Sequence, residues 1–151
     1  MSDAIKHECG IALLKLKKPL DFYLKKYGTA LYGVNKMYLL MEKQHNRGQD
    51  GAGLANIKFN VEAGTRYISR HRSVKNQPIK DIFSYINKRF ETLHEDAPEK
   101  LNDVEYLKAN EAFTGELFLG HLRYGTFGKN KIENCHPFLR QNNWMTRNLV
   151  V

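Results

Sequence analysis

Cys9-Gly-Ile-Ala-Leu-Leu-Lys-Leu16 is the first apolar run of the chain. Together with His45-Asn-Arg-Gly-Gln-Asp-Gly-Ala-Gly53 and Gly120-His-Leu-Arg-Tyr-Gly-Thr126 it decides how the rest is read. The run is continuous rather than alternating, which predicts a strand buried on both faces. Its cysteine stands close to the start of the chain. If the residues before it are removed, its own α-amino group becomes a free base beside its own thiol. Such an amine titrates at roughly pKa 7.7–8.0 and an ordinary thiol at roughly 8.5. The pair then supplies nucleophile and general base without a histidine. Taken alone, Cys9 reads far more readily as a small buried residue at a strand start, and it is the other two motifs that reverse this.

Outward from that run, Pro19 to Tyr27 reads as a basic, aromatic connector. Leu31 to Gln44 places Leu31, Val34, Tyr38 and Met41 at helical spacing and stops at Asn46-Arg47-Gly48. Leu54 to Val61 and Arg66 to Arg70 predict two strands joined around Glu62-Ala63-Gly64. Ile79 to His94 is the clearest helix, with Ile79, Ile82, Phe83, Ile86, Phe90 and Leu93 on one face and Pro78 at its first turn. Glu95 to Ala112 is polar with weak helical character and reads as a surface insertion. Leu117 to Arg123 predicts a strand, and Asn148 to Val151 the start of another. The chain stops inside that apolar run, which suggests an N-terminal fragment of a longer protein.

At 151 residues the chain is one domain by length, with 42% hydrophobic and 26% charged residues, an ordinary globular balance. It has no apolar run of membrane-spanning length and no secretory leader. Two cysteines make no disulfide framework, so a reducing cytoplasm is expected. The net charge of +8 raises a nucleic-acid hypothesis. Its lysines and arginines are dispersed among acids, so nucleic acid is not an expected partner. No spacing supports a zinc site, and no metal is expected.

The order and separation of the three motifs resemble the class II glutamine amidotransferases, the N-terminal nucleophile hydrolases whose nucleophile is cysteine. The wording Arg47-Gly-Gln-Asp50 is most similar to the glutaminase halves of amidophosphoribosyltransferases. The resemblance implies an α+β fold, a four-layer αββα sandwich incomplete at its C-terminal end. It divides the chain into a propeptide-like leader, 1–8, and a truncated amidotransferase domain, 9–151. It implies hydrolysis of glutamine to glutamate and ammonia, with the ammonia passed to a phosphoribosyl diphosphate-dependent synthase domain of purine biosynthesis outside this chain. Magnesium belongs to that domain, and no cofactor is expected here. A homo-oligomer is expected of the full-length protein. Alternatives are the amidotransferase half of a glucosamine-6-phosphate-type synthase and a non-catalytic basic binding module.

Residue by residue, Cys9 takes the nucleophile's role and Gly10 leaves room beside it. The resemblance gives Arg47 the task of holding the nucleophile's end of the chain. It gives Arg123, a fork-shaped cation suited to a carboxylate, the α-carboxylate of glutamine. Tyr124 and Thr126 join it as substrate-binding residues. Helix-end and salt-bridge roles are the plain alternatives for Arg47 and Arg123. Gln49 and Asp50 organise their loop, His121 is a structural strand histidine, and Cys135 beside His136 is a packing residue. The family's oxyanion-hole Asn-Gly pair and amino-group-binding aspartate lie beyond Val151, so this chain alone is expected to be inactive.

Overall fold

The computed structural model describes residues 8–125 and 130–139. Among the described residues the fold is α+β, with four α-helices and one antiparallel sheet of four strands. Strands β1 (Gly10–Lys15), β2 (Gly51–Ile57), β3 (Ile68–Ser73) and β4 (Leu117–Arg123) stand in the order β1-β4-β2-β3. The last strand therefore lies between the first two, with Gly10 opposite Leu122 and Gly51 opposite Arg123. That insertion brings the starts of β1 and β2 to the exit of β4.

Register sorts the side chains by alternation. Ala12, Leu54, Phe118 and Leu122 point to one face, where they join Met37 and Met41 of α2 (Tyr32–Glu42) and Ile82, Phe83 and Ile86 of α3 (Pro78–Asp96) in one core. Two glycines let α2 sit close to β4. A Cβ on Gly33 would come within 2.4 Å of the Phe118 ring, and one on Gly120 within 2.8 Å of Met41 Sδ. Each bulky side chain thus fills the space a glycine leaves on the facing element. Each fully buried side chain of this size contributes roughly 1.5–3 kcal/mol by leaving water.

The opposite face is only half covered. Ile11 and Leu13 are 66% and 67% exposed, and Leu119 beside them is 39% exposed. The expectation that β1 is buried on both faces is therefore corrected. Its inner residues meet the helices, while its outer ones meet no described element. At the β2–β3 side the same face is overlaid by residues 135–137. Arg72 donates to Cys135 O (2.8 Å) and Arg70 to Pro137 O (3.3 Å). A Cβ on Gly53 would fall 1.9 Å from His136 O, so β2 must carry glycine where this segment crosses.

Three further expectations shift. The supposed connector is helix α1 (Leu20–Tyr27), its Leu20, Tyr23, Leu24 and Tyr27 at helical spacing. Gly28 closes it in the left-handed region (φ 74°), its N–H donating to Leu24 O. The supposed surface insertion holds a 3-10 turn (Pro98–Asn102) and helix α4 (Val104–Asn110), started by the Asp103 carboxylate accepting from Tyr106 N. Leu107 of α4 is fully buried, and buried Glu111 accepts two hydrogen bonds from Arg89 at 2.7 Å each. The hairpin strands occupy 51–57 and 68–73 rather than 54–61 and 66–70. Residues 148–151 lie outside the described residues. No described helix is long and apolar enough to cross a membrane.

Candidate active site

Antiparallel pairing places Cys9, one residue before β1, beside the backbone that follows Arg123. The Tyr124 N–H donates to Cys9 Sγ at 3.4 Å, and the sulfur lies 3.9 Å from Tyr124 O. Cys9 is exposed, so a reagent can reach the thiol while the main chain fixes its direction.

The loop between α2 and β2 closes on the same point. A Cβ on Gly48 would strike the backbone of Leu122 and Arg123 at 2.6 Å, so the loop crosses β4 in direct main-chain contact. Asp50 then holds the strand exit twice. Its N–H donates to Arg123 O (3.1 Å), and its carboxylate accepts from Gly125 N (2.7 Å). The backbone carrying Arg123 and Tyr124 is thereby tied from one side by Asp50 and from the other by Cys9.

Gly10 serves a different purpose from the one expected. A Cβ there would meet Gln44 Oε1 at 3.0 Å and the Leu122 side chain at 3.3 Å. Gln44 also donates to Ile11 O (3.2 Å). The space beside the strand start is filled from within the protein. Gln44 carried no signal in the sequence, because a glutamine at a helix end has no distinguishing pattern.

Arg123 is 5% exposed, on the outer face of β4 opposite Gly51, where a Cβ would fall 2.9 Å from Cys135 Sγ. Its Nη1 lies 3.4 Å from both Asn130 Oδ1 and Lys131 O. Arg47 occupies a 3-10 turn (His45–Arg47), held by its N–H to Gln44 O (2.8 Å). Its side chain is exposed and makes no hydrogen bond or ion pair with another described residue, so no contact joins it to Cys9. Tyr124 contributes its backbone to the cysteine. Thr126 lies outside the described residues.

Next to Arg123 along the outer face stands His121, 9% exposed, its ring 4.8 Å from that of His136. Burial, then the charges of His136 and Arg123, push its pKa down to about 4. It is a neutral imidazole at pH 7, and its Nδ1 has no partner among the described residues. Cys135 is fully buried, with Sγ 3.5 Å from Ala52 O, and burial pushes its thiol up. Among the described residues no group of three His, Cys, Asp or Glu side chains could hold a metal ion. A groove of about 1090 Å³ opens at the opposite end of β1, beside Lys15, Phe59 and Tyr106. The chemistry-bearing residues are not on it.

No protein-family profile, curated protein or solved structure matches this chain.

The depressed His121 pKa has a consequence for stability. An unfolded histidine protonates near pH 6.5, the folded one only near 4, so protons bind the unfolded chain preferentially between those values. The contribution is complete above about pH 6.5 and is lost as pH falls to about 4. Its size is on the order of 2–3 kcal/mol. Denaturant unfolding at pH 7 and pH 4.5 is expected to show that loss in the native chain and a smaller one in His121→Gln. An equal loss in both would place the acid sensitivity elsewhere.

Proposed function

We propose that this protein is the glutamine-hydrolysing part of a class II amidotransferase, of the kind that feeds ammonia to a phosphoribosyl diphosphate-dependent synthase domain. The reading rests on one observation above the rest. Three segments far apart in sequence meet at one end of the sheet: Cys9 on Tyr124 N, and Asp50 on Gly125 N and Arg123 O. The reading needs a nucleophile and a carboxylate-binding arginine close together, and the pairing of Cys9 with the backbone that follows Arg123 supports it.

On this reading the leader 1–8 is removed and Cys9 begins the mature protein. The thiol attacks the side-chain amide carbon of glutamine, passing its proton to the freed α-amine. The amine returns a proton to departing ammonia, and water releases glutamate from the thioester. Arg123 holds the α-carboxylate, with Thr126 and Tyr124 beside it, and Arg47 positions the chain end. The exposed Ile11, Leu13 and Leu119 favour a second sheet packed on the outer face, as a four-layer sandwich requires.

The test uses the full-length gene product, matured to begin at Cys9. It is expected to release glutamate from glutamine and to be labelled at Cys9 by a glutamine-like diazo-ketone. Folded, mature protein that neither releases glutamate nor takes the label overturns the reading.

A further inference from the structure

The helical side of the molecule carries a surface unrelated to Cys9. Between Lys15 and Lys43 there are seven lysines (15, 17, 18, 25, 26, 36, 43) and two acids, Asp21 and Glu42, which accounts for five of the chain's +8. In sequence these lysines are scattered. Helices α1 and α2 bring Lys26 and Lys36 over aromatic rings, while Lys15 lies over Phe59 and Lys17 and Lys18 line the groove at the far end of β1. Phe22 is 40% and Tyr27 48% exposed, and Lys26 Nζ lies 5.6 Å from one ring centroid and 5.4 Å from the other.

Tyr27 is held ready on its inner side. It stacks on Tyr32 (4.5 Å, 23°), which stacks on Tyr23 (4.9 Å, 25°), and Tyr23 is anchored in the core. Lys36, over the Tyr32 ring at 5.4 Å, extends the row along α2. A pre-stacked ring that is half exposed loses little freedom when a further flat group stacks on it. Aromatic platforms flanked by cations that track a backbone are how proteins hold unpaired bases.

We propose that the α1–α2 face binds single-stranded nucleic acid, with bases stacked on Tyr27 and Phe22 and phosphates held by Lys25, Lys26 and Lys36. Charge complementarity selects a polyanion. The choice of nucleic acid over an anionic bilayer rests on the rings. Tyr27 is locked in a stack, Phe22 stands edge-on to Tyr23, and Lys26 lies over both, whereas bilayer insertion uses an apolar ridge with its charges at the margins.

The test is fluorescence anisotropy of an end-labelled 15-nucleotide oligouridine with the 151-residue chain, between 50 and 200 mM salt. Saturable binding is expected, weakening with a slope of log affinity against log salt of about −2, the value for about three phosphates on a single strand. Tyr27→Ala and Tyr27→Leu are each expected to weaken it about tenfold, and Tyr27→Trp to retain it, because stacking needs a π face and not bulk. Lys25→Gln and Lys26→Gln are each expected to flatten the slope by about 0.7. Circular dichroism confirms that each variant is folded, and the lysine variants, being on exposed side chains, test the surface without touching its packing. Absence of binding at 50 mM salt overturns the proposal. So does binding that Tyr27→Leu leaves unchanged, or association with phosphatidylserine vesicles in place of the oligonucleotide.

Discussion

Cys9→Ala is expected to keep residues 1–8 attached, whereas the native full-length protein loses them. On the amidotransferase reading the leader must go, because an amide nitrogen cannot accept the thiol proton. Cys9 itself is the group placed to remove it. Its thiol attacks the Glu8 carbonyl carbon, the peptide nitrogen leaves as the α-amine, and water hydrolyses the resulting thioester to free the leader's carboxylate. Nothing else is consumed. The geometry suits this order of events: Glu8 and Cys9 are both exposed, and Tyr124 N–H fixes the sulfur. Alanine removes the attacking atom, so the effect is all-or-none rather than graded. Intact-mass measurement reads it directly as retention or loss of eight residues. Glutamate release by protein still carrying its leader would remove the α-amine from the mechanism.

How much of this was legible beforehand differs by element. The helix carrying Ile79 to Leu93 and the strand 117–123 stood clear in the sequence because their apolar residues keep one period throughout. Helix α1 has the same period at Leu20, Tyr23, Leu24 and Tyr27, but its lysines and aromatic residues masked it. The covering of the sheet was not legible at all. Ile11 and Leu13 are as apolar as Ala12 and Leu14, so composition gives no sign that one pair meets helices and the other does not. At the site, motif spacing indicated Cys9, Asp50 and Arg123 but not how they meet. Their junction depends on β4 entering between β1 and β2, a long-range pairing that no local window contains. Gln44, and the arginines 70 and 72 that hold residues 135–137, act through single hydrogen bonds to backbone carbonyls. Such contacts leave no periodic trace.

Arg123→Lys in the mature full-length protein is expected to raise the KM for glutamine roughly tenfold to a hundredfold. A guanidinium presents two parallel N–H groups to a carboxylate, and a lysine ammonium keeps the charge but not the fork. Losing one charge-assisted hydrogen bond costs about 1.5–3 kcal/mol, which is the stated range at about 1.4 kcal/mol per tenfold. The structure adds a competing task, since Arg123 is buried and its Nη1 also reaches Asn130 Oδ1 and Lys131 O at 3.4 Å. These are long contacts, weak beside a bidentate carboxylate. Lysine should weaken glutamine binding strongly, and the unfolding temperature measured beside it reads any structural task. The two tasks separate in one experiment. Synthesis driven by added ammonia bypasses the glutamine site, so it should proceed at nearly the native rate in the variant. If ammonia-driven and glutamine-driven synthesis fall together, and the unfolding temperature falls with them, Arg123 holds the segment after β4 in place and another group binds the carboxylate.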